Sequence, residues 1–412
     1  MNRLQYRTLL PAMAIAGSIF LGESAASADT TSFVDLTAAL GYSSNPFDRI
    51  PSQSSAFGRL SAFGLQAWHS EKGTTSLSGY VENTSYFKDY GSKQIFDVKL
   101  HTDQAVSPTV TLYGDLSVTG DFAGQLSNRL TYVPSQPPAT EPGNPLPPPN
   151  ANPDVFGLSG REYMLTAQGG ASIRMSPKGT LSLSAGAERL IFTGLNAPSD
   201  YSIFYGSVAY TRQVSERSTL GGAVYLQRQE FKGSDHSNIV DPSLTYHSQL
   251  SETLTLDAAV GLLVIDQHHN GLSHTSTSPS FSGGLCSNTT KSRLCGRFSR
   301  DAQSALGTPI GNQAGEAAVT TRLSVDYYRR LSEQSTIQAS VSGVRYSTTA
   351  AFNNQKFHTD YLSGVVGYDR KIGHRLAAGV SVGVRKLYQP GPDPSTDLNG
   401  NVYLRYRLGD LL

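Results

Sequence analysis

The strongest limit on how this chain folds is a run that alternates apolar and polar residues, repeated along its length and joined each time by a short polar turn. Gln213-Val214-Ser215-Glu216-Arg217, Gln249-Leu250-Ser251-Glu252-Thr253 and Arg330-Leu331-Ser332-Glu333-Gln334 are three copies of one turn, each followed by an alternating segment. Looser copies stand at His69–Gly73, Val106–Pro108, Met175–Gly179 and Ile372–His374. Tight turns between alternating runs are hairpin signals. In the last run Leu398, Gly400, Val402, Leu404, Tyr406 and Leu408 share one face, and Asn399, Asn401, Tyr403, Arg405 and Arg407 the other. Successive strand residues point to opposite faces, so each strand has an oily and a wet side.

Seven such turns join fourteen strands, and one further strand at each end brings the expectation to sixteen. The segments between hairpins are longer: 43–56, 87–92, 121–160, 193–200, 232–238, 267–314, 349–356 and 389–396. Short turns at one end and long loops at the other are the asymmetry of a transmembrane antiparallel up-and-down β-barrel. Hydrocarbon offers no hydrogen-bond partners, so such a sheet must close on itself. The first strand, Ser32–Tyr42, is therefore expected beside the last, Asn399–Leu408.

Composition narrows the alternatives. Of 412 residues only 38% are hydrophobic and 16% charged, below a soluble α/β enzyme of this length. No run beyond the first thirty residues approaches the roughly 20 apolar residues of a membrane helix. Recurrent aromatic and β-branched residues argue against disorder. At the start, Arg3 and Arg7 precede an apolar segment, Ala12–Gly22, and Ala26-Ser27-Ala28 reads as a cleavage site. Residues 1–28 are thus expected to be a cleaved export signal, and 29–412 the barrel of a Gram-negative outer membrane. The exported part carries 31 basic and 31 acidic residues, giving no reason to expect a nucleic-acid partner. Cys286 and Cys295, inside segment 267–314, read as one disulfide closing a loop, since no CxxC spacing or adjacent His points to a metal.

The Leu40-Gly41-Tyr42-Ser43-Ser44-Asn45-Pro46-Phe47 element and the closing Tyr403-Leu404-Arg405-Tyr406-Arg407-Leu408 resemble the outer-membrane β-barrel porin 2 family, often encoded near exopolysaccharide genes. The resemblance implies a pore, outer-membrane lipid and the barrel assembly machinery as partners, and a link to exopolysaccharide export components.

Parity along the strands puts Asp35, Glu82, Asp97, Asp103 and Asp115 on the wet face near the N-terminus. It puts Arg322, Arg330, Arg385, Arg405 and Arg407 there near the C-terminus, with Lys99 and Asp326 as exceptions. The expectation is a lumen with an acidic and a basic arc meeting at the closure, Asp35 beside Arg405 and Arg407. Such arcs would bias which solutes pass, and Arg405 with Arg407 would set selectivity for ions or sugar acids. The rival reading is that these charges pair and fill the interior.

Catalytic candidates are thin. Asp266 with His268 and His269, His274, Asp235-His236, and His358 with Asp360 juxtapose acids and imidazoles. Catalysis needs a base within reach of a nucleophile, and sequence adjacency does not establish that. His268 and His269 are expected as a solvated loop pair, and His358 and Asp360 as lumen lining. Asp393, Ser395, Asp397, Asn399 and Asn401 echo a calcium loop without its closing glutamate. The Pro-rich tract Pro134–Pro153 is a loop, because proline cannot join a ladder. The chain reads as a passive pore without cofactor, metal or enzymatic activity. A barrel hydrolase acting on lipid or peptide, and a plugged structural or adhesive barrel, stand as alternatives.

Overall fold

The computed structural model describes residues 29–46, 52–88, 91–121, 160–194, 200–231, 235–269, 271–304, 317–349, 356–388 and 395–410. The export signal and the Pro-rich tract lie outside these residues. The described chain is strand throughout, in one antiparallel sheet of 18. In chain order the strands are β1 (Asp29–Ser43), β2 (Ser55–Ser70), β3 (Gly73–Tyr86), β4 (Ser92–Ser107), β5 (Val110–Asp121) and β6 (Gly160–Ser176). There follow β7 (Gly179–Gly194), β8 (Tyr201–Ser215), β9 (Ser218–Phe231), β10 (His236–Gln249), β11 (Leu254–His269) and β12 (Leu272–Asn288). The last six are β13 (Ser292–Ser304), β14 (Ala317–Arg330), β15 (Ser335–Thr349), β16 (Lys356–Lys371), β17 (Leu376–Tyr388) and β18 (Ser395–Gly409).

Each strand pairs with its chain neighbour, and β1 pairs with both β2 and β18. The closure holds Asp35 opposite Arg407, Leu36 opposite Tyr406 and Leu40 opposite Val402. The sheet therefore has no open edge between first and last strand, as the alternation predicts.

The count is 18, not 16, and the difference lies in segment 267–314. That segment is not one loop. Gly271, in the left-handed region (φ 79°), stands directly before β12. A turn at Thr289–Lys291 leads into β13. The expected turns explain this one. Ser70, Ser107, Ser215, Ser251 and Ser332 each accept the backbone N–H two residues on at 3.2–3.3 Å. Thr289 does the same toward Lys291 at 3.3 Å.

Cys286 and Cys295 stand directly opposite across this hairpin and are disulfide-bonded. The bond thus ties two strands rather than closing a loop. The seam it spans is short: β12 and β13 pair only from Phe281 with Arg300 down to Asn288 with Arg293. Above Phe281, β12 keeps β11 as its neighbour and β13 keeps β14. There Ala302 of β13 packs with Ile239, Leu263 and Ile265, so the upper end of β13 leans inward.

Register and exposure together assign the faces. Leu36, Leu40, Leu60, Leu116, Val208, Leu244, Val260, Leu323, Val382 and Leu404 form an exposed outer belt. Near the turn end, Tyr210, Tyr246, Tyr327, Tyr368, Tyr406 and Trp68 also point outward. Near the loop end, Tyr42, Phe204 and Tyr388 do so. An oily belt edged above and below by aromatics is the outside of a membrane barrel.

Candidate functional site

All eleven charged residues assigned inward by parity lie on the inner face, and the structure shows what each one touches. Asp35 accepts two hydrogen bonds from Arg407, both 2.7 Å, and that guanidinium also lies 3.9 Å over the Phe33 ring. Arg405 does not join them. It sits opposite Thr37 and reaches Asp369 of β16 at 3.3 Å. Tyr403 donates to the same carboxylate at 3.0 Å. Arg385 lies 3.5 Å from Asp397, which also accepts from the Ser43 hydroxyl at 2.7 Å and the Asn45 N–H at 2.9 Å. Glu82 accepts from Tyr80 at 2.5 Å and Thr84 at 2.9 Å, with Arg59 at 3.7 Å. Arg322 faces Asp301 at 3.6 Å, and Asp326 faces Arg297 at 3.3 Å. Arg330 donates to the Thr290 carbonyl at 3.1 Å, at the turn end.

The expectation of opposed arcs is therefore corrected. Asp369 and Asp397 neutralise the C-terminal arginines in place, while Arg59 and Lys93 stand among the N-terminal acids. From β16 through β18 to β2 the inner wall is a packed layer of ion pairs and rings, with Arg405 4% and Asp397 2% exposed.

The wall from β5 to β12 is built differently. Many of its inner positions are small: Ser184, Gly186, Ser207, Ala209, Gly221, Ala223, Ser243, Ala259 and Gly261. Small side chains leave room, and here Gln168 is exposed although it points inward. Toward the loop end the same wall turns apolar and buried, with Leu190, Tyr201, Ile203 and Phe231 in one cluster and Ile239, Leu263 and Ile265 in another.

Between the open and the buried zones runs a mid-barrel belt that charge parity alone does not reveal. Asp115, Gln168, Gly186, Tyr205 and Gln227 lie opposite one another in register on β5 to β9. The Tyr205 hydroxyl donates to Gln168 Oε1 at 3.1 Å, and Gln168 Nε2 donates to Asp115 Oδ2 at 3.0 Å. Asp115 Oδ1 lies 2.6 Å from His101 Nδ1, and Asp103 is 3.7 Å from the other ring nitrogen. On the same inner face, Asp97 accepts from Thr119 at 2.6 Å and pairs with Lys99 at 3.1 Å.

To reach Gln168, the Tyr205 ring crosses β7. It can do so because β7 has glycine there: a Cβ on Gly186 would stand 2.5 Å from the ring Cζ. Tyr113 lies across its register partner Gly170 in the same way, 2.5 Å from where a Cβ would be. Tyr403 over Gly379 and Phe57 over Gly41 repeat the device on the packed wall. Glu188, two residues above Gly186, has no hydrogen-bond or ion-pair partner among the described residues. The signal for Tyr113 and Tyr205 was present in their parity. The glycines beneath them follow only from inter-strand register.

The catalytic candidates are dispersed. His268 and Asp266 are 3.0 Å apart, but on the outer face of β11, not in a loop, with Thr275 donating to Asp266 at 3.0 Å. His236 stacks on His268 from the outside, ring centroids 4.4 Å apart. His358 and Asp360 also face outward, which corrects their placement in the lumen; Asp360 takes a two-pronged bond from Arg345 at 2.6 and 2.7 Å. His274 faces inward on β12, away from them. The side chain of His269, and Asp393 of the calcium-like stretch, lie outside the described residues. Among the described residues no group of three or more His, Cys, Asp or Glu is arranged to hold a metal ion.

Comparison with protein-family models gives no match, and comparison with curated proteins gives none either. Solved structures are similar at low identity. The Neisseria meningitidis FrpB iron transporter is 8% identical, with 92% of this chain and 81% of that one covered and a TM-score of 0.48. Pseudomonas aeruginosa OccK2 (OpdF) in complex with glucuronate is 12% identical, covering 92% and 98%, with a TM-score of 0.46. The copper transporter OprC is 10% identical, covering 94% and 81%, with a TM-score of 0.45.

Proposed function

We propose that the chain is an outer-membrane pore for the passive passage of small hydrophilic solutes. The observation that carries this reading is the inversion of the barrel: an exposed apolar outer belt around an inner wall lined with serine, glycine, tyrosine and charge. Soluble monomers rarely expose contiguous apolar patches beyond a few hundred Å². The belt instead suits hydrocarbon, and its aromatic edges suit the two interfaces. Strands of 12 to 17 residues exceed the 9–11 that cross a bilayer core, leaving their upper ends above it. Rings of 16 to 18 strands leave an aqueous channel in known barrels. The small residues of β7 to β11 are what keep such a channel open here.

The long-loop end faces outward in this reading, and the tight turns lie in the periplasm. A link to exopolysaccharide export, implied by the family resemblance, belongs to the same proposal. The His268–Asp266 and His358–Asp360 pairs, on which the hydrolase reading drew, face outward. The test is a planar-bilayer recording on the folded protein. Stepwise conductance with an ohmic open state is expected. Stable insertion without conductance would replace the pore with the plugged barrel.

A further inference from the structure

We infer that the mid-barrel belt on β5 to β9 is a saccharide-binding subsite, selective for pyranose rings that carry no acidic group. This deepens the proposed pore function and rests on it.

Tyr113 and Tyr205 are pressed flat against the wall because each lies across a glycine on the neighbouring strand, Gly170 and Gly186. A ring flat on a barrel wall has one face against the strand and the other toward the lumen. The C–H face of a pyranose stacks on such a surface, gaining apolar contact while its hydroxyl edge stays polar. Both rings are partly accessible, and Tyr205 is tethered by its hydroxyl to Gln168, so its orientation is set before a ligand arrives.

The polar partners suit hydroxyl groups. Gln168 is exposed beside the Tyr205 ring, and Asp115 lies next to it, held by His101. Glu188 is on the same wall, two residues along β7 from the Gly186 that Tyr205 crosses. Carboxylates and amides are acceptors and donors for sugar hydroxyls, and a free carboxylate also accepts from an ammonium group. No Lys or Arg stands on the described inner face of β7 to β12 to receive an acidic sugar. A uronate here would face Glu188 and Asp115, and like charges in a confined site repel; Lys99, on the inner face of the neighbouring β4, is already paired with Asp97 at 3.1 Å. The arginines that could have received it are tied to Asp35, Asp369 and Asp397 on the opposite wall.

The experiment uses the full barrel in two formats, so that failure of the pore and failure of the subsite are distinguishable. In planar bilayers, maltotriose, glucosamine and glucuronate are titrated separately and current noise is read. In detergent micelles, binding of the same three is read by calorimetry, which needs no conduction. Maltotriose and glucosamine are expected to bind saturably, and glucuronate about tenfold more weakly or worse. The Tyr113→Ala/Tyr205→Ala double variant should lose roughly tenfold or more of maltotriose affinity. Tyr205→Phe, which keeps the ring, should retain most of it. Glu188→Gln should narrow the gap between glucosamine and glucuronate. Calorimetric binding without conductance would keep the subsite and discard the pore. Conductance with no saturable binding of either sugar, or equal binding of glucuronate, overturns the subsite and leaves the pore. If the double variant does not fold, Gly186→Ala, which displaces the Tyr205 ring, replaces it; unchanged maltotriose affinity would then count against the subsite.

Discussion

Two arcs of one inner wall share the same backbone ladder and the same alternation, yet one is packed solid and the other is lined largely by small side chains. From β16 to β2, Arg405, Arg407, Tyr403, Asp369 and Phe33 fill the space in front of the sheet and satisfy one another. From β7 to β11, serine, alanine and glycine stand at many of the inner positions, between Tyr205, Tyr225 and Gln227. Strand periodicity decides only which residues face inward. Side-chain volume then decides whether that face seals or opens.

The largest expected contrast is in stability. Asp35→Ala leaves Arg407 buried without its carboxylate and should cost about 3–5 kcal/mol, read by urea unfolding in micelles. Asp115→Ala, on the half-exposed arc, should cost under about 1 kcal/mol. Equal losses would break the distinction between a sealed and an open arc. Next is the border of the open arc: replacing Cys286 and Cys295 by serine should cost about 2–3 kcal/mol through a looser unfolded chain. Faster amide exchange is expected along Phe281–Asn288, with β1 and β18 unaffected.

Volume tests the comparison more directly. Ala259→Phe on β11 should fold and reduce single-channel conductance. Ala377→Phe on β17, where the side chain is fully buried, should instead destabilise by about 1–3 kcal/mol with conductance unchanged in what folds. The smallest effect is on selectivity. Glu188→Gln should shift the reversal potential toward anions by a few millivolts, a factor of about 1.2–1.5 in permeability ratio. Arg405→Lys should leave it unmoved, because that charge is already balanced by Asp369.

The barrel itself was legible because its cause is local. Alternation in β18, β17, β14 and β5, and the Ser-containing turns, read directly from the chain, and so did the inward face of every charged residue assigned to it. Two strands escaped because β12 has hydroxyls on both faces. Ser273, Thr275 and Thr277 point outward, and Ser276, Ser278 and Ser280 inward. Hydrophobic alternation vanishes where a strand rises above the oily belt. The chain around β12 still carried signals, in the Asn-Gly dipeptide of the sequence at 270–271 and in Thr289 standing where serine stands elsewhere. What a residue touches was not legible. Arg405 chooses Asp369 over Asp35, and Tyr205 lies over Gly186, because of register between strands, which no single strand encodes.

The half-length seam between β12 and β13 has a mechanical consequence. Ladder bonds resist shear together but peel one at a time, so a wall pulled sideways yields first where a free border already exists. Among the described residues the β12–β13 pairing ends at Phe281, and the covalent bridge at Cys286 and Cys295 sits near the opposite end of these stitches. Any parting of this wall would therefore run downward from the loop end and stop at the sulfur atoms, a hem rather than a tear.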